Sequence, residues 1–159
     1  APVFGIDKDL GTKKCIGKYV NPVTEGTFAM EDTPNIGESM VENPGVYCKS
    51  ANVSVLAANG KTPLITLNQF GAGKAMYLSS FRVSKESTRF LMRALLTLLG
   101  KEDKVRDYIC DNLYTECAYY EEIDKLVVIN NSGDTQKTVI KTAKGDVTVE
   151  LAPFATKIL

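Results

Sequence analysis

The sequence predicts an α+β, strand-rich chain with two parts, and three observations predict it. The stretch from Leu64 to Gly100 reads as two apolar strands joined by a turn and followed by one amphipathic helix. Beyond the charged run Lys101-Glu102-Asp103-Lys104 the periodicity becomes strand-like and stays so to the end. The chain has 159 residues, 44% apolar and 24% charged, enough to bury a core and too apolar for disorder.

Residues 1–17 open polar, with Gly5-Ile6-Asp7-Lys8-Asp9-Leu10-Gly11 reading as a loop of solvated carboxylates. Asp7 and Asp9 evoke a calcium loop, but the glycine and closing glutamate of an EF-hand are not at its spacing. From Asn21 to Gly45, Pro22, Pro34, Pro44 and three glycines punctuate the chain into loops and short strands. Phe28-Ala29-Met30 and Val46-Tyr47-Cys48 are candidate strands. Ser54–Ala58 is a third, turning at Asn59-Gly60 into the strand that begins near Leu64. Leu64–Phe70 and Ala75–Phe81 are buried-strand runs. Between them Gly71-Ala72-Gly73-Lys74 forms a turn in which both glycines are free to take positive φ.

Ser84 is the expected N-cap of the helix, and Gly100 its stop. Phe90, Leu91, Ala94, Leu95, Leu98 and Leu99 recur on one face, while Lys85, Glu86, Arg89, Arg93 and Thr97 fall on the other. After the charged run come strands at Tyr114–Glu121, Lys125–Asn130, Lys137–Thr142, Val147–Leu151 and Ala155–Leu159. The turns are at Ile123-Asp124, Asn131-Ser132-Gly133-Asp134 and Lys144-Gly145-Asp146. In Val147–Leu151 the alternation puts Val147, Val149 and Leu151 on one side, with Thr148 and Glu150 on the other. These strands read as a small antiparallel sandwich or sheet. Its roughly 55 residues make a marginal core, so it is expected to lean on the first part.

Composition excludes several classes. Lys+Arg and Asp+Glu balance at 19 each without a basic cluster, which argues against nucleic acid or an anionic membrane surface as the partner. No apolar run reaches the ~20 residues of a membrane span. Cys15, Cys48, Cys110 and Cys117 lack C-x-x-C spacing and there is no histidine, so no zinc site or other metal or cofactor site is expected. Reduced thiols fit a cytoplasmic location, and nothing supports a Cys110–Cys117 disulfide. The chain begins with Ala1 and not Met, as expected if a leader has been removed or a longer polypeptide cut.

Chemistry is sparse. The Gly71–Lys74 stretch is no phosphate loop, because Asn68 and Ala75 stand where glycine and serine or threonine are required. Without histidine the Ser-His-Asp and Cys-His arrangements are absent. A carboxylate pair of the glycosidase kind would have to come from Glu31, Asp32, Glu116, Glu121 and Glu122. Glu116 stands out because it lies within a strand, with Tyr119 and Tyr120 nearby. A carboxylate and tyrosines on a sheet can hold a sugar by stacking and hydroxyl hydrogen bonds, so Glu116, Tyr119 and Tyr120 are the candidate sugar contacts. Half-buried packing is the plainer role for the tyrosines. No catalytic residue is named by the residues themselves.

Several runs resemble the lacto-N-biose phosphorylase family, the glycoside phosphorylases of β-1,3-galactosyl-N-acetylhexosamines and related β-galactosides. They are Phe4–Leu10, Lys18-Tyr19, Phe28–Asp32 (FAMED), Asn68–Phe81 with its helix, Thr115–Ser132 (TECAYYEEIDKLVVINNS) and Leu151–Leu159. The strand–GxGK–strand–helix block is common to many glutamine-amidotransferase-like domains; TECAYY and KLVVINNS are more specific. The resemblance implies that residues 1–103 are the later part of an amidotransferase-like central domain, and 104–159 a C-terminal antiparallel β-sandwich domain. It further implies a bacterial enzyme whose catalytic barrel precedes this segment and is its partner in the same polypeptide, in a homo-oligomer. Because that barrel carries the catalytic acid and most sugar and phosphate contacts, no catalytic residue transfers to a number here. The implied role is non-catalytic, buttressing the barrel and packing subunits. A stand-alone carbohydrate- or partner-binding module is the alternative. In isolation the segment is expected to self-associate through an uncovered edge or apolar face.

Overall fold

A computed structural model describes residues 2–12, 14–104 and 107–159 and resolves the chain into two compact units, Ala1–Gly100 and Lys101–Leu159. In the first unit, β1 (Ile6–Lys8) pairs antiparallel with β2 (Val46–Cys48). The opening polar stretch therefore contains a strand. Its ladder partner lies about forty residues away, so no local pattern reveals it.

The central sheet has the order β3-β4-β5, with β3 (Ser54–Asn59), β4 (Thr62–Phe70) and β5 (Gly73–Leu78). β4 is the middle strand and is buried at Pro63, Leu64, Ile65 and Thr66 in succession, which is why it reads as a run without alternation. The β3–β4 turn falls on Gly60-Lys61, one residue later than expected, because Asn59 still pairs with Thr62. The β4–β5 turn is tighter than four residues: Phe70 pairs with Gly73, leaving only Gly71-Ala72 outside the ladder. Gly71 alone uses its left-handed freedom (φ +58°), while Gly73 and Lys74 belong to β5. Lys74 then donates from Nζ at 3.2 Å to the Thr97 carbonyl near the end of the following helix, which also accepts from the Gly100 amide at 3.2 Å.

That helix, α1 (Lys85–Leu99), has the ends its sequence predicts. Ser84 Oγ accepts from the Ser87 amide at 3.1 Å while Ser87 Oγ accepts from the Ser84 amide at 2.8 Å, a reciprocal cap. Gly100 closes the helix in the left-handed conformation (φ 62°). The buried face differs from the expected one. Phe90 and Ala94 enter the core with Ala29, Met30, Ile36, Leu56, Leu64 and Ile65. Leu91, Leu95 and Leu99 are exposed, whereas Arg93 and Thr97 are buried. Arg93 turns inward because it has acidic partners in the segment around Phe28–Met30. Those three residues form a 3-10 turn and not a strand, closed by Met30 and Glu31 amides donating to the Thr27 and Phe28 carbonyls.

The second unit has two three-stranded antiparallel sheets. One has the order β10-β9-β6, with β6 (Ile109–Cys110), β9 (Gln136–Thr142) and β10 (Gly145–Leu151). The other has the order β11-β8-β7, with β7 (Thr115–Tyr120), β8 (Lys125–Asn130) and β11 (Thr156–Ile158). Leu126 and Val128 from one sheet meet Cys110, Ile140, Val149 and Leu151 from the other in a single apolar cluster. The alternation in β10 holds, with Val149 and Leu151 buried and Thr148 and Glu150 exposed. β6 is too short for its two residues to stand out in the sequence. None of the four cysteines is in a disulfide.

Candidate functional site

β7 positions two of the three predicted sugar contacts together and sends the third elsewhere. Successive side chains leave a strand on opposite faces. Glu116, Ala118 and Tyr120 point outward, and Tyr120 is 53% exposed. Thr115, Cys117 and Tyr119 point inward. Across the ladder, Glu116 stands opposite Ile129, Ala118 opposite Val127 and Tyr120 opposite Lys125. On the far side of β8, Thr156 adjoins Ile129 and Ile158 adjoins Val127. The outward face is therefore a small apolar floor of Ala118, Val127, Ile129 and Ile158. Tyr120 and Lys125 stand at one end and Glu116 at the other. Such a floor, with a carboxylate and an aromatic hydroxyl at its rim, suits contact with the apolar face of a sugar ring.

Tyr119 serves the interior. Its ring stacks on Tyr108 with centroids 4.1 Å apart and planes 6° from parallel. Its hydroxyl donates to Asp124 Oδ1 at 2.7 Å, and Lys144 Nζ donates to the same carboxylate at 3.2 and 3.3 Å. The Tyr119 hydroxyl is held protonated well above the usual tyrosine range, first by its bond to the Asp124 carboxylate and then by burial. Asp124 is correspondingly held below the usual carboxylate range, first by the Tyr119 hydroxyl and then by Lys144.

A folded-state pKa below the unfolded one stabilises above the unfolded pKa and is lost as pH falls through the folded value. Asp124 has left-handed backbone (φ 48°), which asparagine also tolerates, so Asp124→Asn tests the carboxylate without straining the turn. Asp124→Asn is expected to lower the urea midpoint of this unit at neutral pH. The gap to the parent protein should close as pH falls below about 4. A gap that stays constant with pH would show that the carboxylate charge is not what holds Tyr119.

The other carboxylates considered for acid–base work are placed differently. Asp32 and Glu31 flank one guanidinium: Arg93 Nε donates to Asp32 Oδ2 at 2.5 Å, and its terminal amine to Glu31 Oε2 at 2.9 Å. The Arg93 guanidinium also lies 4.4 Å above the Phe28 ring, and Arg89 approaches Asp32 at 3.7 Å. Neutralised by two arginines, this pair clips a loop to a helix. Glu121 and Glu122 lie exposed in the 3-10 turn after β7. Sequence reasoning placed Arg93 on the polar face of the helix; a lone arginine between Met92 and Ala94 was the available sign that it had an inward partner.

A cavity of about 380 Å³ opens near the start of the chain, lined in part by Asp7, Lys8, Cys15, Tyr47 and Lys49. Two of its lysines are already engaged. Lys8 Nζ donates to Asn43 Oδ1 at 2.8 Å and Lys49 Nζ to the Ile16 carbonyl at 3.3 Å. Lys18 and Lys49 flank the Tyr47 ring, with their ammonium groups 5.3 and 5.9 Å from its centroid. Beside the cavity Lys18 pairs with Asp9. That bond, the Gly11 amide and the Cys15 thiol hold the Asp9 carboxyl at about 2. The Tyr47 hydroxyl is pushed up to about 12, chiefly by its bond to Cys15. Among the described residues no group of three or more histidines, cysteines, aspartates or glutamates is placed to hold a metal ion, and no helix is long and apolar enough to cross a membrane.

Comparison with known proteins adds what geometry alone does not give. Residues 1–103 match the model of the lacto-N-biose phosphorylase central domain, and residues 108–159 match that of the lacto-N-biose phosphorylase C-terminal domain. The chain is 34% identical to a D-galactosyl-β-1→4-L-rhamnose phosphorylase of Lachnoclostridium phytofermentans, over 100% of this chain and 21% of that protein. It is 30% identical to a 1,3-β-galactosyl-N-acetylhexosamine phosphorylase of the same organism, over 91% of this chain and 20% of that protein. A 1,3-β-galactosyl-N-acetylhexosamine phosphorylase of Bifidobacterium longum subsp. longum is 26% identical, over 91% and 23% respectively. The chain thus spans about a fifth of the length of these relatives.

Proposed function

Because the chain belongs to the lacto-N-biose phosphorylase family, we propose that it is the non-catalytic C-terminal portion of a glycoside phosphorylase acting on β-galactosides. The parent reaction transfers the galactosyl group from its aglycone to phosphate, giving galactose 1-phosphate and a free sugar, and runs in both directions. Galactosyl-β-1,3-N-acetylhexosamine and galactosyl-β-1,4-rhamnose are the substrates to try first, because relatives are named for them. The observation that carries this reading is the consecutive match to the two family domains along the whole segment. In this reading, residues 1–103 are the later part of an amidotransferase-like central domain and residues 104–159 a β-sandwich. Both buttress a preceding catalytic barrel and pack subunits in a cytoplasmic homo-oligomer. Consistent with a supporting role, Asp32, Glu31 and Asp124 are each committed to arginine, tyrosine or lysine partners within their own unit.

The test is phosphorolysis of both disaccharides by the 159-residue chain and by the longer polypeptide that contains it. The chain alone is expected to release no galactose 1-phosphate and the longer polypeptide to release it. Turnover by the chain alone would overturn the non-catalytic role.

A second reading draws on the outward face of β7 and makes the unit a carbohydrate-binding module, with Glu116 and Tyr120 as contacts. Titration of the chain with galactosides, followed by tyrosine fluorescence, should then show saturation that Tyr120→Ala abolishes. No change at millimolar sugar would remove this reading.

A further inference from the structure

Helix α1 is turned inside out with respect to charge. Arg89 and Arg93, the charged residues of its middle, face the Asp32 carboxylate within the unit. Its outer face from residue 88 to residue 99 is Thr88, Leu91, Met92, Leu95 and Leu99, with no charge among them. Leu95 is 51% and Leu99 69% exposed. Residues spaced by three and four share a helix face, so these side chains form one continuous apolar stripe about two turns long. From Phe90 to Leu99 the helix is apolar all round apart from Arg93 and Thr97, the pattern of a helix covered on every side. Its core-facing side is already filled by Phe90 and Ala94.

We propose that the Leu91–Met92–Leu95–Leu99 stripe is the docking face for polypeptide preceding this segment in the same full-length chain. The inference rests on the reading of the segment as the C-terminal portion of a family member. The two matched models are a central and a C-terminal domain, so most of the further four-fifths of the relatives lies on the N-terminal side. That length is ample to supply a covering layer. The chemistry of the stripe specifies the layer: a charge-free face takes an apolar helix or sheet face, and offers neither an acidic peptide nor a nucleic acid anything to pair with. The occupant packs leucine against apolar side chains and leaves the inward arginine–aspartate clip untouched.

Met92, 43% exposed in the middle of the stripe, is a built-in reporter, and Met30, in the core, is its internal control. Hydroxyl-radical footprinting read by mass spectrometry would compare the 159-residue chain, diluted to keep it monomeric, with the full-length polypeptide containing it. Met92 is expected to oxidise readily in the short chain and to fall to the level of Met30 in the full-length protein, independently of concentration. In a companion measurement, Leu95→Lys should leave the melting temperature of the short chain unchanged and lower that of the full-length protein. Equal Met92 oxidation in both polypeptides would overturn the proposal. Protection of the full-length protein that disappears on dilution would also overturn it, because the occupant would then be a second copy. Phosphorolysis measured on the same full-length sample separates the two readings. Activity with Met92 still reactive removes only the docking face, whereas a protected Met92 without activity removes only the phosphorylase reading.

Discussion

Asp32→Ala is expected to destabilise the first unit by about 3 kcal/mol, more than a surface ion pair would suggest. Arg93 is 3% exposed, and its Nε hydrogen bond to Asp32 at 2.5 Å is the shortest contact it makes. Deleting Asp32 leaves a guanidinium in the interior, with Glu31, itself half exposed, as its remaining carboxylate. A charge stranded in this way costs more than the intact pair contributes, because its desolvation is no longer offset. The effect should appear as a lower urea midpoint with an unchanged slope. The double variant Asp32→Leu/Arg93→Met should recover part of the loss, since the most buried charge goes with its partner while Arg89 still lacks Asp32. A cost for Asp32→Ala below about 1 kcal/mol would mean that Arg93 reaches water and the clip is an exposed pair.

The second large effect is expected in the other unit, at Asn130. This side chain is 1% exposed and all its hydrogen-bonding capacity is used. Its amide donates to the Asp134 carbonyl at 2.7 Å and the Ala152 carbonyl at 2.9 Å. Its oxygen accepts from the Ser132 amide at 2.9 Å and the Ser132 hydroxyl at 2.8 Å. One residue at the end of β8 thus pins the turn that follows and the end of β10. Asn130→Ala leaves several buried polar groups without partners, at about 1–3 kcal/mol each before relaxation. A unit of this size holds only a few kcal/mol in total. Amide exchange of Val128 and Ile140, both fully buried, should accelerate on the order of a hundredfold, the equivalent of about 3 kcal/mol. An acceleration below about fivefold would show that water replaces the asparagine without loss.

The candidate sugar face illustrates how far reading by residue type reaches. Residue type and nearness in sequence group Glu116, Tyr119 and Tyr120 together. Strand alternation alone separates Tyr119 from the other two, and the structure confirms the separation by stacking Tyr119 on Tyr108. What alternation leaves open is which face meets the core. That choice is made by Leu126, Val128 and the opposing sheet, which lie on other strands. The apolar floor around Glu116 and Tyr120 is likewise a product of register: Ile129 and Ile158 arrive from β8 and β11, and no local pattern announces them.

The local features of this chain were determined by its sequence. The reciprocal Ser84–Ser87 cap, the left-handed Gly100, the strands of the β3–β4 and β4–β5 hairpins and the alternation of β10 all follow from interactions within a few residues, or from the period of a strand. Tertiary structure decided three things the local code does not contain. It folded Phe28–Met30 as a 3-10 turn, it paired Ile6–Lys8 with Val46–Cys48, and it chose which side of α1 is buried. The physical reason is the same in each case. The deciding partner is remote: Asp32 lies 61 residues from Arg93, and a desolvated guanidinium with two carboxylates and an aromatic ring is held inside while the leucine stripe is left exposed.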